Sequence, residues 1–169
     1  MKTMRMAIAA IGLGIMLVGC PPVFGPDLQI TQFEVGDPPV LPNLHGFYEV
    51  PVTMVVENTG GRAADEFKSA VYYTTEEGQT FVAAFTVEGQ TDIWYPRTDG
   101  PLAAGAEVTF EGYVSLPHDL AGSTVVLQGE ADSASGDESI PEYGRVRETN
   151  EDNNLSDEVE VSLGILAGL

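Results

Sequence analysis

The feature that most constrains the fold is a strict alternation of apolar side chains along one segment. Every second position from 48 to 56 is apolar: Tyr48, Val50, Val52, Met54 and Val56. Because successive side chains of a β-strand point to opposite faces, this period of two predicts a strand with one buried face. Pro51 lies on the other face and has no N–H to donate, which predicts that it lies at a sheet edge or a bulge.

Six further segments show the same period, beginning near residues 27, 67, 81, 108, 125 and 155, with turn-forming residues between them. In the earliest of them the step from Ile30 to Phe33 breaks the alternation and predicts a bulge. No stretch after residue 26 keeps the 3.6-residue period of a helix. The pattern predicts an all-β fold, an immunoglobulin-like antiparallel β-sandwich of about seven strands in a single domain over residues 27–163.

The N-terminus has the pattern of an export signal. Lys2 and Arg5 precede thirteen apolar or glycine residues, positions 6 to 18, a run too short to cross a bilayer as a helix. The following Leu17-Val18-Gly19-Cys20 resembles the bacterial lipobox. This resemblance implies that residues 1–19 are a cleaved lipoprotein signal peptide and that Cys20 carries the lipid. The alternative is an ordinary signal peptide, which leaves the chain's single cysteine as a free thiol.

The remaining boundaries follow from composition. Residues 20–26 form the lipidated cysteine and a Pro-rich tether, and residues 164–169 form a short apolar tail. Proline favours extended geometry at about 3.1 Å per residue, so the tether holds the domain within roughly 20 Å of its anchor. The expected location is the cell envelope, with the membrane as partner through lipid on Cys20; inner and outer membranes are both open.

Charge excludes one class of partner. The chain has a net charge of −19, and removing Lys2 and Arg5 with the signal peptide leaves five basic against 26 acidic residues, a net charge of −21. Nucleic acid binding needs a basic surface, so no nucleic acid partner is expected. Attraction to anionic lipid is excluded for the same reason, which leaves anchoring to the lipid on Cys20. The large negative charge has two possible explanations: the protein binds cations, or it is adapted to a saline habitat.

Three segments together resemble a bacterial module. Residues 52–61 read VTMVVENTGG, residues 102–110 read LAAGAEVTF, and residues 147–161 read RETNEDNNLSDEVEV. This combination resembles CARDB, the cell-adhesion-related domain found in bacteria, over nearly all of the mature chain. The resemblance implies an immunoglobulin-like sandwich that serves adhesion or acts as a spacer. The chain departs from the family at residues 133–147, where SASGDESIPEYGRVR is inserted.

An acidic segment is the first candidate site. Eleven carboxylates lie between residues 130 and 160, opposed by Arg145 and Arg147. Ca²⁺ takes six to eight oxygen ligands from carboxylates, amides and carbonyls, and would relieve this repulsion. The candidate metal ligands are Asp132, Glu148, Glu151 and Asn153, which we expect to meet at one pole of the sandwich. The alternative is a solvated acidic loop tied by hydrogen bonds of its asparagine side chains.

Trp94 and Tyr95 are the second candidate site, because exposed loop aromatics suit recognition of a surface glycan or another envelope protein. The alternative is that Trp94 folds back onto the core.

No catalytic motif is present, and His45 and His118 lack obvious partners. The sequence therefore predicts a protein that is not an enzyme but a lipid-anchored binding or adhesion module of the cell envelope. The alternative is a structural accessory or spacer subunit, and a hydrolase ranks last.

Overall fold

The computed structural model describes residues 25–91, 93–133 and 144–164. The described residues form seven strands: β1 Leu28–Val35, β2 Phe47–Asn58, β3 Ala70–Thr74, β4 Thr80–Val87, β5 Glu107–Pro117, β6 Thr124–Glu130 and β7 Val159–Ser162. A single 3₁₀ turn, His118–Leu120, follows β5. No helix among these residues has the length and apolar character needed to cross a bilayer. The predicted all-β class is confirmed. The signal peptide, Cys20 and residues 165–169 lie outside the described residues.

The strand order gives the immunoglobulin arrangement. All pairings are antiparallel, in the order β1-β2-β5-β4-β3-β6-β7. With the strands lettered A to G, this order places A-B-E-D in one layer and C-F-G in the other, which is the constant-type sandwich. Strand β4 belongs to both layers, because Thr80–Ala83 pairs with β3 while Ala84–Val87 pairs with β5. The layers are therefore joined by one continuous strand.

A glycine allows the end of β4 to lie unusually close to β5. Gly112 lies opposite Val52 on one side and Val87 on the other. A Cβ on Gly112 would collide with the Thr86 carbonyl oxygen and would lie 3.0 Å from Val87 Cα. Only glycine permits this approach of the two backbones.

Two details of the strand predictions are corrected. Pro51 lies at neither a sheet edge nor a bulge, because β2 is an interior strand with continuous register to β5. Its missing N–H falls where β1 ends, and its carbonyl accepts from Gly36 N at 2.8 Å. The last strand begins at Val159 rather than near Leu155, because the Ser156 hydroxyl accepts the Gly129 N–H that a strand carbonyl would accept.

The predicted bulge in β1 is confirmed by a register shift between Ile30 and Gln32.

One core fills the space between the layers. Its largest fully buried members come from six segments: Leu28, Tyr48, Met54, Phe67, Phe85, Phe110, Leu116 and Leu127. The alternation seen at 48–56 faces this core, as predicted.

Candidate functional site

The acidic segment gathers at one end of the sandwich. We call this end the acidic pole, defined by residues 130–133 after β6 and 144–154 before β7. The chain turns there at Asp132, whose φ of 48° lies in the left-handed region that aspartate and asparagine tolerate best among residues with side chains. Gly144 packs directly on it, since a Cβ on Gly144 would meet the Asp132 carbonyl oxygen and lie 2.6 Å from Oδ2. This contact closes the base of the pole.

Asp132 is a buried carboxylate at the centre of the pole. It is 2% exposed, and its two oxygens accept from Arg145 N at 2.9 Å and Val146 N at 2.6 Å. Burial raises the pKa of Asp132 to about 6; these two N–H groups oppose the rise, while the charges of Glu151 and Glu130 add to it. The two main-chain donors therefore compensate for only part of the cost of burying this charge.

Glu148 is the second carboxylate with a perturbed pKa. Its Oε2 accepts from Leu28 N, and its Oε1 accepts from Asn154 Nδ2 at 3.0 Å. Burial raises the pKa of Glu148 to about 7, against these hydrogen bonds and together with repulsion from Asp132 and Glu151. Three of the four predicted metal ligands thus lie close enough to influence one another electrostatically.

The fourth predicted ligand, Asn153, makes a hydrogen bond through its amide nitrogen. Asn153 Nδ2 donates to Asp27 Oδ1 at 3.1 Å, at the foot of β1. The neighbouring Asn154 is 9% exposed, and the Oδ1 atoms of both Asn153 and Asn154 are buried without a hydrogen-bond partner among the described residues. The sequence had suggested only a loop-tying role for Asn154. Which of the two amides lines a depression could not have been detected from the pattern, because adjacent residues of an irregular loop follow no period.

These groups border an open depression of about 450 Å³, which we call the acidic depression. It is lined by Glu130, Asp132, Gly144, Glu151, Asp152, Asn154 and Leu155. Glu148 does not line the depression, but it accepts a hydrogen bond from the amide nitrogen of Asn154. Among the described residues no three side chains of His, Cys, Asp or Glu form a ready-made metal cluster. The oxygens available at the depression are carboxylates together with the Asn154 amide oxygen.

The aromatic pair lies in the loop between β4 and β5. Trp94 is 47% exposed and is not part of the core, so the alternative that it folds back is wrong. Tyr95 is covered on one face by Lys68, whose Nζ lies 5.7 Å from the ring centroid. Tyr95 is also near Tyr72, whose hydroxyl donates to Glu130 Oε2 at 2.6 Å. The structure therefore places both candidate sites at the same end of the molecule.

A second cavity, of about 630 Å³, lies on the outer face of β2, β5 and β4, and its lining includes three threonines, two glutamates and Tyr113. Sequence analysis did not indicate it, because its residues come from three strands. His45 and His118 are exposed at the opposite end, where His118 N donates to Gly46 O at 2.9 Å.

Comparison with solved structures shows proteins that are similar to this chain in fold. No protein-family model and no curated protein matches the chain. The CARDB domain of the PF1109 protein from Pyrococcus furiosus, crystallised in complex with di-metal ions, is 19% identical with a TM-score of 0.46, covering 87% of this chain and 96% of that one. The putative ApaA protein of Bordetella pertussis is 18% identical with a TM-score of 0.43, covering 87% and 100%. Similarity at this level carries no information on ligand or activity.

Proposed function

We propose that this protein is a lipid-anchored, non-catalytic binding or adhesion module of the cell envelope, and that its acidic pole holds a divalent cation, Ca²⁺ in the first instance. The envelope location and the anchor on Cys20 derive from the lipobox pattern of residues 17–20. The adhesion role derives from the resemblance of three sequence segments to CARDB. The structure contributes the chemistry of the pole.

The observation that carries the proposal is a buried carboxylate that lines the same depression as an amide whose buried oxygen has no hydrogen-bond partner among the described residues. Asp132 and Asn154 border the same depression, and neither is more than 9% exposed. The ion pair formed among the described residues, Arg97 with Glu66 at 3.9 Å, involves neither of them. A buried charge is costly unless it is paired or coordinates a metal, and a buried acceptor without a partner costs free energy as well.

A hard cation would satisfy both groups together. Ca²⁺ accepts carboxylate, amide and carbonyl oxygens in a flexible shell, so Asp132, Glu151 and Asn154 Oδ1 are suitable ligands, with water completing the shell. Each Asp132 oxygen accepts one N–H in the structure and retains capacity for a further contact. Glu148 would position the Asn154 side chain by accepting a hydrogen bond from its amide nitrogen.

The test is thermal unfolding of the mature chain, residues 20–169, across millimolar CaCl₂, with MgCl₂ and NaCl at matched ionic strength. A ligand that binds only the folded state stabilises it by about 2.7 kcal/mol at a hundredfold excess over its Kd. We expect a calcium-specific rise in the midpoint that is lost in Asp132→Asn and in Asn154→Ala. Asp119→Asn serves as the control, since it removes an exposed carboxylate from the 3₁₀ turn at the other end.

A midpoint that follows ionic strength, whichever salt supplies it, would refute the cation site. The acidic pole would then be a solvated surface on a structural module.

A further inference from the structure

The base of the tether is held against the acidic pole by main-chain hydrogen bonds. Gly25 O accepts from Gly61 N at 2.9 Å, and Pro26 O accepts from Thr149 N at 2.9 Å. Leu28 N donates to the side chain of Glu148. Residues 25–28, which we call the tether base, are therefore fixed between the turn after β2 and the loop at 148–154.

A glycine forms the surface on which the tether base lies. A Cβ on Gly60 would collide with Gly25 O and would lie 2.6 Å from both Asp27 N and the Pro26 carbonyl carbon. Gly60 has no positive φ, so its requirement is for space and not for conformation. Gly60 borders the tether base and is not among the residues that line the acidic depression.

One short loop contacts both the tether base and the acidic depression. Asn153 Nδ2 donates to Asp27 Oδ1 at 3.1 Å, while the next residue, Asn154, lines the depression. Glu148 likewise accepts from Leu28 N with one oxygen and from Asn154 with the other. Thr149, between these residues, bonds Pro26 through both its N–H and its hydroxyl. Releasing the tether base therefore breaks hydrogen bonds that position the loop carrying two of the proposed cation ligands, Glu151 and Asn154.

We infer that a cation at the acidic pole locks the tether base onto the domain, so that the ion sets the direction in which the domain projects from its anchor. The inference rests on the proposed cation site. Its physical basis is linkage: an ion that binds only the closed loop shifts the opening equilibrium by the factor 1 + [L]/Kd. At a hundredfold excess of Ca²⁺ over Kd, release of the tether base becomes about a hundredfold rarer.

The test is amide hydrogen exchange of the mature chain, residues 20–169, followed by NMR with CaCl₂ or with chelator. We expect the amides of Leu28, Gly61 and Thr149 to exchange about a hundredfold more slowly at saturating Ca²⁺. The amides of Gly36 and Asn43, which bond Pro51 and Phe47 at the other end of the sandwich, are the internal controls and should change little.

Variants separate the lock from the cation site. Gly60→Ala should retain the calcium-induced rise in midpoint and lose the added protection at Leu28 and Thr149. Gly100→Ala is the matched control, because no atom lies within 4 Å of a Cβ placed there. If Gly60→Ala does not fold, Asp27→Ala removes the hydrogen bonds with Asn153 and Thr59 and should have the same effect.

Three outcomes are distinguishable. A rise in midpoint with slowed exchange at the tether base supports both the cation site and the lock. A rise in midpoint with exchange unchanged at Leu28, Gly61 and Thr149 overturns the lock and leaves the cation site standing. No calcium effect on either measurement removes both.

Discussion

Replacing Asp132 by asparagine should weaken the dependence of stability on pH and leave the part that is due to Glu148, whose pKa is also raised. Asparagine suits the φ of 48° as well as aspartate does, so the backbone is not strained by the change. Burial raises the pKa of Asp132 from its ordinary 3.8 to about 6. The folded state therefore holds this proton to higher pH than the unfolded state does, and stability falls as pH rises from about 4 through 6.

The magnitude follows from the size of the rise. One pKa unit corresponds to about 1.4 kcal/mol, so about two units remove roughly 3 kcal/mol of stability from the wild type between pH 4 and pH 7. In Asp132→Asn this ionisation no longer lowers the free energy of unfolding, but the substitution itself destabilises the fold. An amide has one acceptor oxygen, so either Arg145 N or Val146 N loses its partner, at about 1–3 kcal/mol.

Wild type should therefore be the more stable protein at pH 4.5, and the variant should equal or exceed it at pH 8 in chelator. The assay is urea unfolding followed by circular dichroism at both pH values. Asp119→Asn controls for the change in net charge, which alters self-repulsion equally in both variants. If Asp132→Asn loses as much stability as wild type between the two pH values, ionisation of Asp132 does not destabilise the folded state.

Three further predictions concern the anchor and the fold. Cys20→Ala in the full chain, expressed in a bacterial host, should move the protein from the membrane fraction to the soluble fraction and remove the lipid mass from the mature N-terminus; unchanged partition would contradict lipid anchoring. Gly112→Ala should lower the free energy of unfolding in urea by about 1–3 kcal/mol or more, because its methyl group would collide with the Thr86 carbonyl oxygen. The control variant Gly100→Ala should have a free energy of unfolding close to that of wild type. Tyr48→Phe should cost about 0.5–1.5 kcal/mol, since the hydroxyl donates to Gly164 O at 2.9 Å; an unchanged free energy of unfolding would show that this bond contributes nothing.

The alternation of apolar side chains was sufficient to predict the all-β class, the number of strands and the buried face of β2. The side chains at 48–56 had to share one face, and the number of strands followed from the turns between them. The predicted export signal and the resemblance to a lipobox likewise derive from local sequence. The expectation of no nucleic acid partner also derives from the sequence, because net charge does not depend on folding.

Only the tertiary structure showed the order of the strands and which side chains line the acidic depression. Alternation gives a strand its faces but not its neighbours, so it could not show that β4 joins both layers or that Pro51 faces the end of β1. The sequence brought Asp132, Glu148 and Glu151 to one pole, but it chose Asn153 where the structure turns Asn154 to the depression. Adjacent side chains in an irregular loop have no period to distinguish them, and their hydrogen-bond partners, Asp27 for Asn153 and Glu148 for Asn154, are set by the tertiary structure.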